Sequence, residues 1–339
     1  MTEVALMTAA WPSRRPRIKP AGFQQGLTLI ELLVALAISS IIALAAVAAL
    51  IVSRQGLTTV DTASQLRDNG RFATDLIQRL GVQTGFKDPD YAMVARNSTA
   101  TNPDPNVFGF NNATSVNSDP YFSSTPRVPT TVGFGSDILV LRYQASATYE
   151  QSNVPDGGMV DCTGTPSAAV PINVDDRIVS VLHVAVSSDG EPSLMCTVTP
   201  GTAAQPIVKG VENFQVLFGT DNVTPNTAPS GATITRVANR YLRADELTVS
   251  GDAVGTNANW RRVVSIRIGM VIRGPLGSVQ DTTAQTFYPF GLAPGSSGGA
   301  AGSALSSTSD IGTIFSPGAD TRMRQVVTFT VPLRNYQGL

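Results

Sequence analysis

The stretch that decides the fold reads GLTLIELLVALAISSIIALAAVAALIV, from Gly26 to Val52. From Leu32 to Val52 only Ser39 and Ser40 are polar. At about 1.5 Å per residue such a run reaches across a hydrocarbon core roughly 30 Å thick. One acid, Glu31, stands at its head. A carboxylate in the middle of a membrane helix costs about 2.5–3.5 kcal/mol, and less near an interface. An acid kept there is expected to have a function and a partner.

Upstream lies a polar, basic segment with Arg14, Arg15, Arg17 and Lys19 against a single acid, Glu3. By the positive-inside rule this end stays cytoplasmic and the long C-terminal part is exported. A secretory signal is cut after its apolar run, whereas here Gly26 precedes the run. A cut between Gly26 and Leu27 removes the basic leader and keeps the membrane helix. It also frees an α-amino group four residues from Glu31. The string Gly26-Leu27-Thr28-Leu29-Ile30-Glu31 resembles the class III signal of type IV prepilins, in which a glycine precedes the cut and a glutamate is fifth after it. The resemblance implies a prepilin peptidase that cuts after Gly26 and methylates the new amine on Leu27. That family usually carries phenylalanine first after the cut; Leu27 is a departure of a kind the family tolerates.

Downstream the helix is expected to continue. No proline occurs from Arg54 to Leu80. Leu57, Val60, Ala63, Leu66, Gly70, Ala73, Ile77 and Leu80 recur three or four apart, so they form one stripe. Asp61, Gln65, Arg67, Asp68, Asp75 and Gln78 lie off it. Gly81 and Gly85 offer a stop. A helix from Thr28 to Leu80 would be about 80 Å long. Gly56 and Gly70 each weaken it by about 1 kcal/mol relative to alanine and mark places for local bending. The expected organisation is therefore a leader over 1–26, a transmembrane half over 27–53, an amphipathic half over 54–81 and an exported β-rich domain over 82–339.

The exported part is poor in charge, with 14% charged residues in the whole chain, and rich in Ser, Thr, Asn, Gly and Pro. That is a strand-and-loop profile rather than that of a helical cytosolic enzyme. The net charge of −1 becomes more negative once the basic leader is gone, so no broad nucleic-acid footprint is present. Cys162 and Cys196 are the only cysteines, and in an oxidising compartment they read as a disulfide worth about 3–4 kcal/mol. His183 is the only histidine and no C-x-x-C occurs, which gives a zinc site little support. In Asn102-Pro-Asp104-Pro-Asn106 oxygen ligands alternate, but the glycine and distal glutamate of a calcium loop are missing, so it reads as a solvated turn.

Strands are expected over Asp137–Gln144, Ile178–Val186, Ser193–Thr199, Val211–Phe218, Val263–Ile272 and Val326–Leu333. In the fifth, Val264, Ile266, Ile268, Met270 and Ile272 share one face and Ser265, Arg267 and Gly269 the other, the pattern of a strand half-buried in an antiparallel sheet. The stretch from Lys87 to Ser136, with the loop over 97–135 inside it, reads as a long irregular excursion with short strands. The insert PGSSGGAAGS, Pro294–Ser303, has no capacity to form a core. The fold class is α+β: one long N-terminal helix packed on a mainly antiparallel β-sheet domain.

Further residues sharpen the resemblance. Gln65-Leu66-Arg67-Asp68-Asn69-Gly70-Arg71-Phe72-Ala73, Asp189-Gly190-Glu191-Pro192-Ser193-Leu194-Met195-Cys196 and Val211-Glu212-Asn213-Phe214-Gln215-Val216-Leu217-Phe218-Gly219 resemble the helix, G-E-P-x-L-x-C and ENFQ elements of PilW-type minor pilins. The matches are collinear over most of Gly26 to Asn335. The resemblance implies a minor pilin that sits in the inner membrane with its C-terminal domain in the periplasm, helps initiate type IV pilus assembly, and stays at or near the tip. It implies as partners the prepilin peptidase and methyltransferase, other minor and major pilins, the inner-membrane assembly platform and membrane lipid. Glu31 would pair with the α-amine of an adjacent subunit, which offsets the cost of both charges in low dielectric. The nearest alternative is a minor pseudopilin of a type II secretion system. An enzyme is disfavoured: no GxSxG, HExxH, P-loop or dinucleotide fingerprint appears, and no cofactor is indicated. A tip adhesin or DNA receptor would have to use Arg261 and Arg262 beside Trp260, where a strand entry with a packed tryptophan is the simpler account.

Overall fold

The computed structural model describes residues 26–92, 102–149, 152–231, 233–292, 311–335 and 337. The leader up to residue 25, the first part of the 97–135 loop and the 294–303 insert lie outside the described residues. The chain forms two compact units, one ending at Arg54 and one beginning at Gln55. Helix α1 (Leu29–Gln83) supplies the first unit and enters the second. After it come a one-turn helix α2 (Pro89–Ala92) and strands β1 (Val107–Phe110), β2 (Ala113–Ser115), β3 (Ser124–Pro126), β4 (Ile138–Tyr143), β5 (Ile178–Val186), β6 (Pro192–Thr197), β7 (Gln205–Lys209), β8 (Val211–Thr220) and β9 (Arg240–Leu242). Helix α3 (Ala253–Trp260) and strands β10 (Val263–Arg273) and β11 (Arg324–Pro332) complete the set.

The strands form two principal antiparallel sheets, not one. The order is β1-β4-β5-β6-β7 in the first and β11-β10-β8-β9 in the second, with β2 and β3 as a separate pair. β5 and β6 make a hairpin in register Val186 opposite Pro192, turning through Gly190 at φ +81°. A residue with a side chain is strained in that conformation, so glycine suits the turn.

The stripe on α1 is real but starts later than the spacing implies. Thr62, Leu66, Gly70, Ala73, Ile77, Leu80, Gly81 and Gln83 are buried. Leu57 and Val60 remain 63% and 67% exposed. Packing begins at Thr62, whose methyl lies against Gly274. Leu66, Ala73, Ile77 and Leu80 join Leu139, Leu182, Leu194, Phe214, Phe218 and Ile268 in one core, so residues of α1 and of both sheets share it.

Two glycines on this face have a packing role. A Cβ at Gly70 would lie 2.9 Å from Val327 Cγ2, and one at Gly81 2.4 Å from Val331 Cγ1, so both let α1 approach β11 closely. Gly81 is accordingly inside the helix and does not stop it. The stop is Gly85, at φ +76°, just past Gln83.

Both sheets are covered on their second faces as well. Ile138, Val140 and Val181 cluster with Ala113 of β2 and Tyr121 of the β2–β3 connection, beside Phe110 of β1. The 97–135 loop is thus, in its described part, a cover for the first sheet and the source of its edge strand β1. On the second sheet, Leu217 packs with Tyr241 and Phe290. β10 is therefore not half-solvated: Ser265 and Val271 are buried, and Gly269 lies directly under Pro289. A register shift between Val263 and Ser265 also takes Val264 out of the expected alternation.

Candidate functional site

The first unit is simple chemically. Thr28 precedes α1 and Glu31 is in its first turn. The Thr28 N–H and Oγ1–H donate to Glu31 Oε2 at 3.0 and 2.9 Å, and the Glu31 N–H donates to Thr28 Oγ1 at 3.3 Å. This is a reciprocal capping box, and T-x-x-E is its sequence signature. That signature is present in the sequence at Thr28 and Glu31, so the glutamate has a capping role as well as being the one acid of the apolar run. Farther on, Ser39 and Ser40 turn their hydroxyls back to the carbonyls of Ala35 and Ala37, at 2.7 and 2.8 Å. In an apolar medium this leaves neither donor unmatched. No residue of the apolar window is buried within the chain.

In the second unit, Cys162 and Cys196 are disulfide-bonded with Cα atoms 5.8 Å apart, ordinary for such a link. The bond fastens the segment after β4 to the C-terminal end of β6. The Cys162 N–H donates to Ser180 Oγ at 3.1 Å, which holds that segment on β5 as well.

Elements singled out in the sequence meet around three arginines. Glu191, in the β5–β6 turn, accepts from Arg273 Nη2 at 2.9 Å and Arg322 Nη2 at 3.3 Å. Glu212, near the start of β8, accepts from Arg273 Nη1 at 2.7 Å and Arg324 Nε at 2.6 Å. Asp320 takes Arg324 in a two-bond fork at 2.7 and 2.8 Å. The Arg324 guanidinium accordingly holds the Asp320 carboxyl below the usual carboxylate range. The cluster links the turn of one sheet to three strands of the other. The next residues of β8 anchor the loop before β4: Phe214 N–H donates to Ser136 Oγ at 3.1 Å, and Val216 N–H to Asp137 Oδ2 at 2.8 Å.

Other candidates have structural duties. His183 is buried, its Nε2 3.2 Å from Thr197 Oγ1. Burial first, and the Arg127 charge second, push its pKa down to about 4. Trp260 is buried between Phe108 and Phe218, with ring centroids 4.8 and 4.7 Å away, so it has no face to offer a base. Asn102 Oδ1 accepts from Arg261 at 3.1 Å and Asn106 Oδ1 from Arg177 at 2.8 Å, so these oxygens serve arginines. Among the described residues no group of three or more His, Cys, Asp or Glu side chains is placed to hold a metal.

A family model described as type IV pilus-assembly protein W matches residues 181–335. A second, described as the prokaryotic N-terminal methylation motif, matches residues 23–47. The chain thus carries a PilW domain and a prepilin methylation motif, the two parts of a type IV pilin-like protein. No curated protein matches it. Among solved structures a type IV-like pilin from Thermus thermophilus is similar, with 13% identity, a TM-score of 0.38, and 80% of this chain and 98% of that one covered. The PilW match holds the β5–β6 turn, Glu212, Arg273 and Arg324, so the ion cluster lies inside it. The methylation-motif match holds Gly26, Leu27 and Glu31. With the methylation motif at the head of an apolar helix and a PilW domain behind it, the chain fits anchoring in the inner membrane, processing by a prepilin peptidase and contact with other pilins.

Proposed function

We propose that this protein is a minor pilin that inserts in the inner membrane through the apolar half of α1, helps initiate type IV pilus assembly, and resides at or near the pilus tip. The observation that carries this reading is the join of the Gly26–Glu31 string to an apolar helical stretch that no other described part of the chain buries. Lipid covers such a stretch first. When the subunit leaves the bilayer, only similar helices can replace that cover, because exposing it to water forfeits about 25 cal/mol per Å². In this scheme the peptidase cuts between Gly26 and Leu27, Leu27 is methylated, and the cytoplasmic leader is lost while the second unit lies in the periplasm. Glu31 then sits beside the α-amine of a neighbouring subunit and supplies its counter-charge.

The test is mass spectrometry of the mature N-terminus from detergent-extracted membranes. A methylated Leu27 terminus is the expected result. A terminus after the apolar run, or an intact leader, would remove the basis for assembly as a pilin. Co-purification then separates the second reading, a type II secretion pseudopilin, which the same N-terminal string also allows. Capture of other minor pilins supports the pilus, and capture of secretion-system pseudopilins supports the alternative.

A further inference from the structure

In the second unit, helix α1 buries one face and leaves the opposite face uncovered. Leu66, Gly70, Ala73, Ile77 and Leu80 are buried, whereas Asp68, Arg71, Phe72, Asp75 and Arg79 are exposed. The exposed five recur at helical spacing, so they form one ridge. The signs of its charges alternate: acid, base, acid, base. These charges have the spacing to pair within the helix. Among the described residues, however, none of the four is in an ion pair. Phe72, in their midst, is 54% exposed, and Leu57 and Val60 add exposed apolar surface two to four turns earlier. An aromatic ring and arginines on an uncovered face are a composition favoured at protein interfaces.

We propose that this ridge docks on the same ridge of a second copy of the chain, with the two helices parallel and offset by one turn. The inference rests on the proposed membrane anchoring, which gives both copies the same orientation and so excludes an antiparallel pair. Charge selects the offset. In register, each of the four charges would meet its own like charge, which is unfavourable. An offset of about one turn, roughly 5–6 Å, brings Asp68 beside Arg71, Arg71 beside Asp75, and Asp75 beside Arg79 of the second copy. Ion pairs at a surface are individually weak, so they set register and partner, while Phe72, Leu57 and Val60 supply the apolar area. Confinement of both copies to one membrane raises their effective concentration.

The experiment co-expresses two differently tagged full-length copies and scores their association in isolated membranes by crosslinking. Wild-type copies are expected to associate, and less so as salt is added. A disulfide between Leu57→Cys in one copy and Asp61→Cys in the other reports the offset; it should form more readily than one between Leu57→Cys in both. Charge reversal supplies the decisive arm. A copy with Asp68→Arg and Asp75→Arg has a wholly basic ridge, and one with Arg71→Asp and Arg79→Asp a wholly acidic ridge. Each should lose self-association by about tenfold, and the mixed pair should recover it to the wild-type level or above. All four sites are exposed, so the melting temperature of each variant should stay near that of wild type. Absence of association between wild-type copies would overturn the proposal, as would charge variants that associate with themselves as wild type does, or capture of a different pilin in place of the second copy. Membrane fractionation and the mature N-terminus separate the two readings. A chain that is neither processed nor membrane-bound defeats the anchoring reading and this inference with it, whereas a processed, membrane-bound chain that stays monomeric defeats this inference alone.

Discussion

Thr28 and Glu31 cap each other, so Glu31 has a local reason to be where it is besides the proposed counter-charge. Two substitutions separate these roles. Glu31→Gln keeps an N3 acceptor for the capping box and loses the charge, whereas Glu31→Leu loses both. Each should enter the membrane as well as wild type, because each removes a charge from the span. If the counter-charge matters, both should fail to support normal piliation and should crosslink less to partner minor pilins at matched expression. Full piliation with Glu31→Gln would leave Glu31 as a helix cap alone. His183 gives a second test at this scale. An unfolded histidine titrates near 6.5 and the folded one near 4. Between those values the unfolded chain binds the proton first, so stability falls as the pH drops from 6.5 to 4, by up to about 3 kcal/mol. Thermal melts of wild type and His183→Gln across this window should show the loss in wild type and a smaller slope in the variant. Parallel curves would show that His183 does not carry the effect.

Helix α1 contains glycines that differ in what surrounds them. Gly56 faces open space, so Gly56→Ala should stabilise the helix by up to about 1 kcal/mol. Gly81 has Val331 Cγ1 2.4 Å from where a Cβ would stand, and Val331 is a stiff, buried side chain in β11. There the overpacking cost of about 1–3 kcal/mol exceeds the helix gain, so Gly81→Ala should lower stability. Chemical denaturation of the two variants checks the opposite signs; equal effects would mean that α1 is not held against β11. The same element shows why periodicity misplaced part of the stripe. Leu57 and Val60 have the spacing of core residues, but spacing records which residues share a face and not where along the helix the packing begins.

For the molecule as a whole, the two sheets are bound by side chains from distant positions. The arginine cluster joins the β5–β6 turn to β8, β10 and the approach to β11, and the disulfide pins the 144–177 segment to β6. Replacing Cys162 and Cys196 together by serine should destabilise the domain by about 3–4 kcal/mol, from the closure of a loop with a sequence separation of 34. Membrane insertion should be unaffected, because the span is in the other unit. Melting of the purified variant beside wild type, with membrane fractionation of both, tests the two statements; an unchanged melting temperature would show that the link contributes little to the folded state.

What the chain determines by itself is whatever depends on local order. The apolar run, the glycine before it, the capping pair and the 3.6-residue stripe are short-range patterns, and each strand with a clear run of β-formers stands close to where that run lies. The cysteine pair was legible because no other partner existed for either residue. Tertiary structure decided the rest. Alternation in β10 resembles a strand with one wet face, yet Pro289 and Phe290 cover the polar side from far along the chain. Gly81 has the composition of a helix stop but serves close packing, which only the approach of β11 reveals. The loop after α1 has the composition of an excursion, and its described part lies over a sheet because Ile138, Val140 and Val181 need cover. Glu191, Glu212 and Asp320 are far apart in sequence and acquire meaning together only when folding brings Arg273, Arg322 and Arg324 between them. Burial and charge pairing depend on contacts between distant segments, and a one-dimensional pattern does not contain those contacts.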